Sequence, residues 1–360
     1  MDFTVDERLA RAATLPAPVY TDPAVLAREK ARVFGASWQL VGREEQVARP
    51  GDFFTARVAD EELLVVRGED EKLRALSNVC RHRAGPVAQG TGSRRSLTCG
   101  YHGWTYGLDG RLRSMPEFEG VENFRREDVR LPEFAVETWI GLVLANLDPK
   151  APALAAALEG LHGRLEGRGL GSMRLAYRRD WTLDCNWKVY VDNYLEGYHI
   201  PVVHPGLMVE LDYGAYRTET FQSGVLQVSP IKGKGGRLRA EGRGDEAAYW
   251  WIWPNLMLNV YPDNFSTNLI VPISAERTLT IFEWFFHGPE GPGVRARVEE
   301  TVAFSDEVQL EDIAICEAVQ RGLRSKTYVR GRYSRRRESG VHHFHRLWAA
   351  AMELPPLPEP

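Results

Sequence analysis

Cys80-Arg-His82-Arg-Ala-Gly and, after sixteen residues intervening from that histidine, Cys99-Gly-Tyr-His102-Gly-Trp-Thr-Tyr are the stretches whose reading decides the fold. Each offers one thiolate and one imidazole. Thiolates hold iron and bridging sulfide well, and neutral imidazoles on one iron raise a cluster's potential above that of an all-cysteine cluster. Cys80, His82, Cys99 and His102 therefore fit a [2Fe-2S] cluster gripped by two loops. A zinc module is the competing reading, but zinc sites usually pair cysteine with cysteine and histidine with histidine, not one of each per loop.

Working outward, the residues from Trp38 to about Leu147 read as short β runs, Phe53–Val58, Leu63–Arg67 and Leu73–Val79, broken by Arg49-Pro-Gly-Asp, Gly68-Glu-Asp and Leu108-Asp-Gly turns. Before them, Thr21-Asp22-Pro23 starts a helix with a capping side chain and a proline in the first turn, followed by apolar Val25, Leu26, Val33 and Phe34. After them, Asp148-Pro-Lys-Ala-Pro152 has linker composition. Three parts are expected: an N-terminal helical arm over 1–37, a β-rich cluster domain over 38–147 and a second domain over 148–360. The last mixes helical stretches near 153–165 and 187–199 with strand-like runs at 173–184, 214–229 and 249–286, and ends in a long helical pattern from about 294 to 324. The fold class is α+β.

The 360 residues suffice for two hydrophobic cores, so no metal is needed as a folding staple. Forty-five Lys and Arg against 49 Asp and Glu leave a formal charge of −4, gathered in no block, which argues against nucleic acid or an anionic membrane as partner. Neither a basic apolar leader nor a bilayer-length apolar run is present, so a cytoplasmic protein is expected. Of four cysteines, Cys185 and Cys316 lie outside the loops and read as small core thiols.

A second metal site is written in Asn186-Trp-Lys-Val-Tyr-Val-Asp-Asn-Tyr-Leu-Glu196-Gly-Tyr-His199-Ile-Pro201-Val-Val-His204. Pro201 is expected to end the helix just after His199, so that the following loop curls His204 back towards it. A ferrous site that activates dioxygen needs one carboxylate besides two histidines, with open positions opposite. Asp312 is the best candidate, since it falls on a helical stripe with Phe304, Val308, Ile315, Cys316, Val319 and Leu323. Asp306, Glu307 and Glu311 fall off that stripe and read as solvated helix charges.

The two loops resemble the cluster-binding loops of Rieske proteins, and 186–204 resembles the iron-binding segment of Rieske oxygenase catalytic subunits; the likeness runs from about Trp38 to Leu347. It implies that Cys80 and Cys99 hold the inner iron, His82 and His102 the outer one, and His199, His204 and Asp312 a mononuclear Fe(II). It implies Glu196 as the acid connecting the centres, with His102 of one subunit near the iron of its neighbour in a homotrimeric ring. The fold implied is a small β-rich Rieske domain plus an α+β catalytic domain of helix-grip type, with an antiparallel sheet and a long C-terminal helix. O2 would be co-substrate, with electrons from a separate NAD(P)H-dependent flavin or iron–sulfur reductase, possibly through a ferredoxin.

Glu311-Asp-Ile-Ala-Ile-Cys-Glu-Ala-Val-Gln-Arg-Gly-Leu and Gly331-Arg-Tyr…His342-His-Phe-His-Arg-Leu-Trp further resemble the C-terminal part of choline monooxygenase and related quaternary-amine oxygenases. That likeness implies hydroxylation or oxidative N-dealkylation of a substrate such as choline, carnitine or a betaine. Trp250, Trp251, Trp253, Tyr261, Phe282, Trp284 and Phe286 supply aromatic faces that attract quaternary ammonium ions, although an arene would suit them too, which keeps aromatic-ring hydroxylation as the alternative. His342, His343 and His345 lack an acid or thiol at a defined spacing and read as packing on an extended segment.

Overall fold

The computed structural model describes residues 3–165, 167–232, 236–238 and 245–353. Contacts group the described residues into two compact units, one of Lys30–Leu154 and the other of the residues up to Glu29 with those from Ala155 to Glu353.

In the first unit a seven-stranded sheet runs in the order Gln39–Arg43, Leu142–Asn146, Glu133–Trp139, Leu73–Ser77, Glu61–Arg67, Asp52–Val58, Thr91–Ser93. The strand Glu61–Arg67 is apolar on both sides because each face has its own core. Leu64 and Val66 pack with Cys80, Cys99, Trp104 and Tyr106, whereas Leu63 and Val65 pack with Phe54, Val143 and Ala145. Side chains alternate across a strand, so one apolar run serves two cores. The cluster loops flank a three-stranded sheet of Leu97–Thr98, Thr105–Tyr106 and Leu112–Ser114. The expected turn at Leu108-Asp-Gly is present, with Gly110 at φ +77°.

The second unit is an antiparallel seven-stranded meander, ordered Arg174–Leu183, Arg277–Phe286, Asn264–Ser274, Leu256–Val260, Glu246–Ile252, Gly224–Pro230, Arg217–Phe221. The expected single run at 214–229 is thus largely a hairpin. The helix Pro292–Leu323 packs on the first two of these strands and on the helix Trp187–Tyr194. At the start of the chain, Asp22 caps the helix Pro23–Glu29 by accepting the Ala24 N–H at 2.8 Å, as its sequence anticipates.

Two helical expectations need correction. The buried side of the long helix is Val298, Val302, Phe304, Gln309, Cys316 and Gln320, so Phe304 and Cys316 of the expected stripe face inward, while Ile315 and Val319 are exposed at 36% and 45%. Hydropathy misplaced Ile315 and Val319 because the core side carries glutamines with buried partners: Gln309 accepts from the Tyr190 hydroxyl at 2.5 Å and Gln320 from the Asn186 N–H at 2.9 Å. His342, His343 and His345 lie on a helix, Ser339–Glu353, and not on an extended segment; His342 and His345 face the interior.

A fully buried ion pair ties the second unit together. Lys188 Nζ lies 2.7 Å from Glu29 Oε1, and both side chains have no exposure. Glu29 also accepts the indole N–H groups of Trp187 at 2.8 Å and Trp348 at 2.7 Å, joining the N-terminal arm, the Trp187–Tyr194 helix and the C-terminal helix at one carboxylate. Burial pulls the Lys188 pKa down, against the pull of Glu29. Removing one member of such a pair leaves the other charge stranded. Lys188→Met is expected to destabilise this unit by about 3–5 kcal/mol, read from chemical unfolding followed by tryptophan fluorescence.

Candidate metal centre

The turn that brings the histidines together is built differently from expectation. Asn186 caps the helix Trp187–Tyr194 by accepting the Lys188 N–H at 3.0 Å, and that helix stops before Leu195. A second, four-residue helix, Ile200–Val203, then lies between His199 at its start and His204 at its end. Pro201 does not terminate a helix: it sits in the first turn of this new one, where its missing N–H breaks no hydrogen bond. The Glu196 carboxylate accepts the backbone N–H of His199 at 3.0 Å and that of Tyr198, which sets the entry into the turn. The two imidazoles end 4.9 Å apart.

One ligand atom from each of His199, His204 and Asp312 lies within 4.8 Å of the others. His199 Nε2 is 3.8 Å and His204 Nε2 3.0 Å from the same oxygen, Asp312 Oδ1. The opposite ring nitrogens are both engaged by acids: His199 Nδ1 is 2.6 Å from Glu196 Oε1 and His204 Nδ1 is 2.6 Å from Glu311 Oε2. Carboxylates at Nδ1 place the proton there and turn both Nε2 lone pairs towards Asp312. Asp312 is itself oriented by Asn193, whose Nδ2 donates to Oδ1 at 2.6 Å. Burial of the His204 ring opposes protonation, but Asp312 and Glu311 outweigh it and raise the pKa.

Glu311 is the functional neighbour that sequence reasoning missed, having been assigned to solvent. Consecutive helical residues point about 100° apart, which lets Glu311 and Asp312 approach His204 from two sides. The signal was an adjacent pair of acids, invisible to hydropathy. Asp306 and Glu307 are not simply solvated either: Asp306 pairs with Arg179, and Glu307 with Arg237 at 2.7 Å.

Beside the triad opens a cavity whose lining includes Tyr194, Tyr216, Tyr249, Tyr261, Phe282 and Trp284. Of the aromatics singled out in the sequence, Tyr261, Phe282 and Trp284 reach it, whereas the Trp250, Trp251, Trp253 and Phe286 side chains do not line it. Cys185 and Cys316 are buried thiols, as expected. Two imidazole nitrogens and one carboxylate oxygen on one side of a cavity, without a thiolate, suit a ferrous ion with open positions.

In the other unit Cys80 and Cys99 are 3% and 2% exposed, while His82 is half-buried and His102 exposed. The His82 and His102 rings lie 4.7 Å apart, and His82 stacks on Trp104 at 4.8 Å. The Tyr106 hydroxyl is 3.2 Å from Cys80 Sγ. A Cβ at Gly85 would lie 3.0 Å from Cys99 Sγ, so the backbone passes against the sulfur. Buried thiols beneath outward imidazoles match a cluster with one inner and one outer iron.

Residues 37–125 match the family model for the Rieske [2Fe-2S] domain, and residues 172–354 that for the ring hydroxylating alpha subunit catalytic domain. The chain is 38% identical over 352 residues to choline monooxygenase of Arabidopsis thaliana, covering 94% of this chain and 83% of that protein. This chain belongs to the Rieske non-haem iron oxygenase catalytic subunits. It is 33% identical over 366 residues to the carnitine monooxygenase oxygenase subunit of Escherichia coli (strain K12), covering 97% of each. A solved quaternary ammonium Rieske monooxygenase superposes with a TM-score of 0.87 at 30% identity, covering 97% of this chain and 100% of that one.

As such an oxidoreductase, the oxygenase uses a Rieske [2Fe-2S] cluster and a mononuclear iron, with O2 as co-substrate. Outer partners of metal-bound histidines typically matter 10- to 100-fold for affinity. Glu311→Ala is therefore expected to weaken Fe(II) binding by about 10–100-fold, measured by anaerobic titration of cluster-loaded protein.

Proposed function

We propose that this oxygenase hydroxylates a small quaternary-ammonium substrate of the choline or carnitine type, at a carbon near the nitrogen, giving an alcohol or, where the product is a hemiaminal, C–N cleavage. The observation that carries this reading is the cluster of Tyr194, Tyr216, Tyr249 and Tyr261 on the cavity wall beside the triad. Tyr249 and Tyr261 meet edge to face at 6.0 Å. Burial holds their hydroxyls neutral, that of Tyr261 pushed up to about 12. A trimethylammonium group has no N–H to donate, and aromatic faces are the surface that attracts it out of water. The same cavity carries Asn259, Asn264, Ser266 and Asn268. A hydrocarbon arene would leave such polar groups facing apolar surface, which favours the amine over ring hydroxylation.

In this reading Cys80 and Cys99 hold the inner iron, His82 and His102 the outer one, and His199, His204 and Asp312 the catalytic iron. A cluster held there would supply electrons singly, and a ferrous ion held by His199, His204 and Asp312 would supply dioxygen activation, with one oxygen atom going to the substrate and the other to water. The protein's part is geometric. Glu196 and Glu311 hold the Nδ1 protons, Asn193 orients Asp312, and the tyrosines seat the cation. Glu196 would also meet His102 of a second copy within a homotrimer, a role that the exposure of His102 supports. A separate NAD(P)H-dependent reductase completes the system. No described helix is long and apolar enough to cross a membrane.

The test is substrate-coupled oxygen consumption with a compatible reductase, comparing choline, carnitine, glycine betaine, 3,3-dimethylbutanol and simple arenes. Turnover of a quaternary amine with discrimination against its neutral carbon isostere is expected; turnover of arenes alone would overturn the reading. For the cluster, Tyr106→Phe removes a hydrogen bond worth about 0.5–1.5 kcal/mol from Cys80. At about 59 mV per tenfold for one electron, the midpoint should fall by roughly 20–65 mV, as measured by redox titration.

A further inference from the structure

The sequence segment His342-His-Phe-His345 is not absorbed by either metal site, yet it reaches the helix that supports one of them. We propose that Asp192 is a positioning residue for the metal centre, anchored by Tyr20, His345 and Tyr333 so that the next residue, Asn193, holds the Asp312 carboxylate in place.

Asp192 Oδ2 accepts the Tyr20 hydroxyl at 2.8 Å, and Asp192 Oδ1 is 2.8 Å from His345 Nε2. On the far side of that ring, His345 Nδ1 is 2.6 Å from the Tyr333 hydroxyl. His345, Tyr20 and Tyr333 are 1%, 4% and 8% exposed, so none can exchange its partner for bulk water without moving. The polarity runs one way. With the proton on Nε2, His345 donates to Asp192 while Nδ1 accepts from Tyr333, and Tyr20 donates to the remaining carboxylate oxygen. Each hydroxyl and ring nitrogen thus has a role, and all of them converge on Asp192.

Asp192 and Asn193 are consecutive on the eight-residue helix Trp187–Tyr194 and therefore point about 100° apart. One engages the N-terminal arm and the C-terminal helix; the other donates to Asp312 Oδ1 at 2.6 Å, the oxygen that both histidines face. A short helix has little rigidity of its own. Rotation about its axis would withdraw Asn193 from Asp312, and Asp192 is the neighbouring side chain that opposes it, with Tyr190 on Gln309 as a further restraint. Lys188, one turn earlier on the same helix, is fixed independently by Glu29 at 2.7 Å. That contact restrains the helix start; in the last turn Asp192 acts beside Tyr194, whose hydroxyl donates to Asn259 Oδ1 at 2.9 Å.

The proposal rests on the assignment of His199, His204 and Asp312 as iron ligands. Its test uses full-length, cluster-loaded protein, with Fe(II) affinity of the mononuclear site read by anaerobic equilibrium dialysis and its geometry by the paramagnetic resonance spectrum of the nitric oxide adduct. Asp192→Ala should weaken iron binding about tenfold, at the low end of the range for outer partners, and broaden that spectrum, with the cluster's visible absorption unchanged. Asp192→Asn still accepts from His345 and can donate to Tyr20, so it should stay within about twofold of the parent. Should Asp192→Ala fail to fold, Tyr333→Phe decides, removing only the hydroxyl that fixes the His345 tautomer: a measurable loss of affinity supports the clamp, and parental values overturn it. Parental affinity and spectrum in a folded Asp192→Ala overturn the clamp alone. Retention of iron by Asp312→Ala would instead overturn the ligand assignment, and the clamp with it.

Discussion

Two imidazole nitrogens aimed at one carboxylate oxygen are the arrangement on which the catalytic unit turns. An imidazole ring has no intrinsic preference for which nitrogen keeps its proton strong enough to define a ligand, so direction must come from outside the ring. Here it comes from Glu196 and Glu311, each 2.6 Å from an Nδ1. The rest follows from that need. The chain must break after Tyr194 to let Glu196 turn back onto His199. The long helix must present two successive acids, and a second short helix must separate the histidines by one turn.

Such precision has to be paid for in rigidity, and the second unit supplies it with polar contacts in places where hydrophobic packing alone would suffice for folding. Glu29 is the plainest case. A carboxylate with no exposure accepts from an ammonium and two indoles drawn from separate helices. Apolar side chains of similar volume could fill that space with comparable stability. They would not dictate which turn of one helix faces which turn of another. The buried glutamines of the long helix act similarly, since Gln309 and Gln320 set its rotation and hence the direction of Asp312.

Much of this was legible beforehand, and the limits have physical reasons. Thiolate–imidazole pairing in two loops is a pattern with few chemical interpretations, and Asp312 stood out as an acid amid apolar neighbours. What escaped was anything encoded by polar partners inside the core. Glu311 was assigned to solvent because hydropathy sees charge and not the histidine it faces. Ile315 and Val319 were assigned to the interior because glutamines had taken the true inward positions. Pro201 was read as a stop, since a proline at the end of one helix and in the first turn of the next look alike in a sequence. His345 was set aside for lacking a nearby acid; Asp192, more than a hundred and fifty residues away, supplies one.

The closure behind the triad carries a consequence for traffic. Glu196 and Glu311 sit behind the rings and Asn193 holds the acid, so the approach left to the three ligand atoms is the cavity side, where the tyrosines stand. Among the described residues, a metal ion and an organic guest would then share one approach. Occupancy by the guest would seal the ion in, making exchange of iron slowest while the enzyme is at work and fastest when it stands idle.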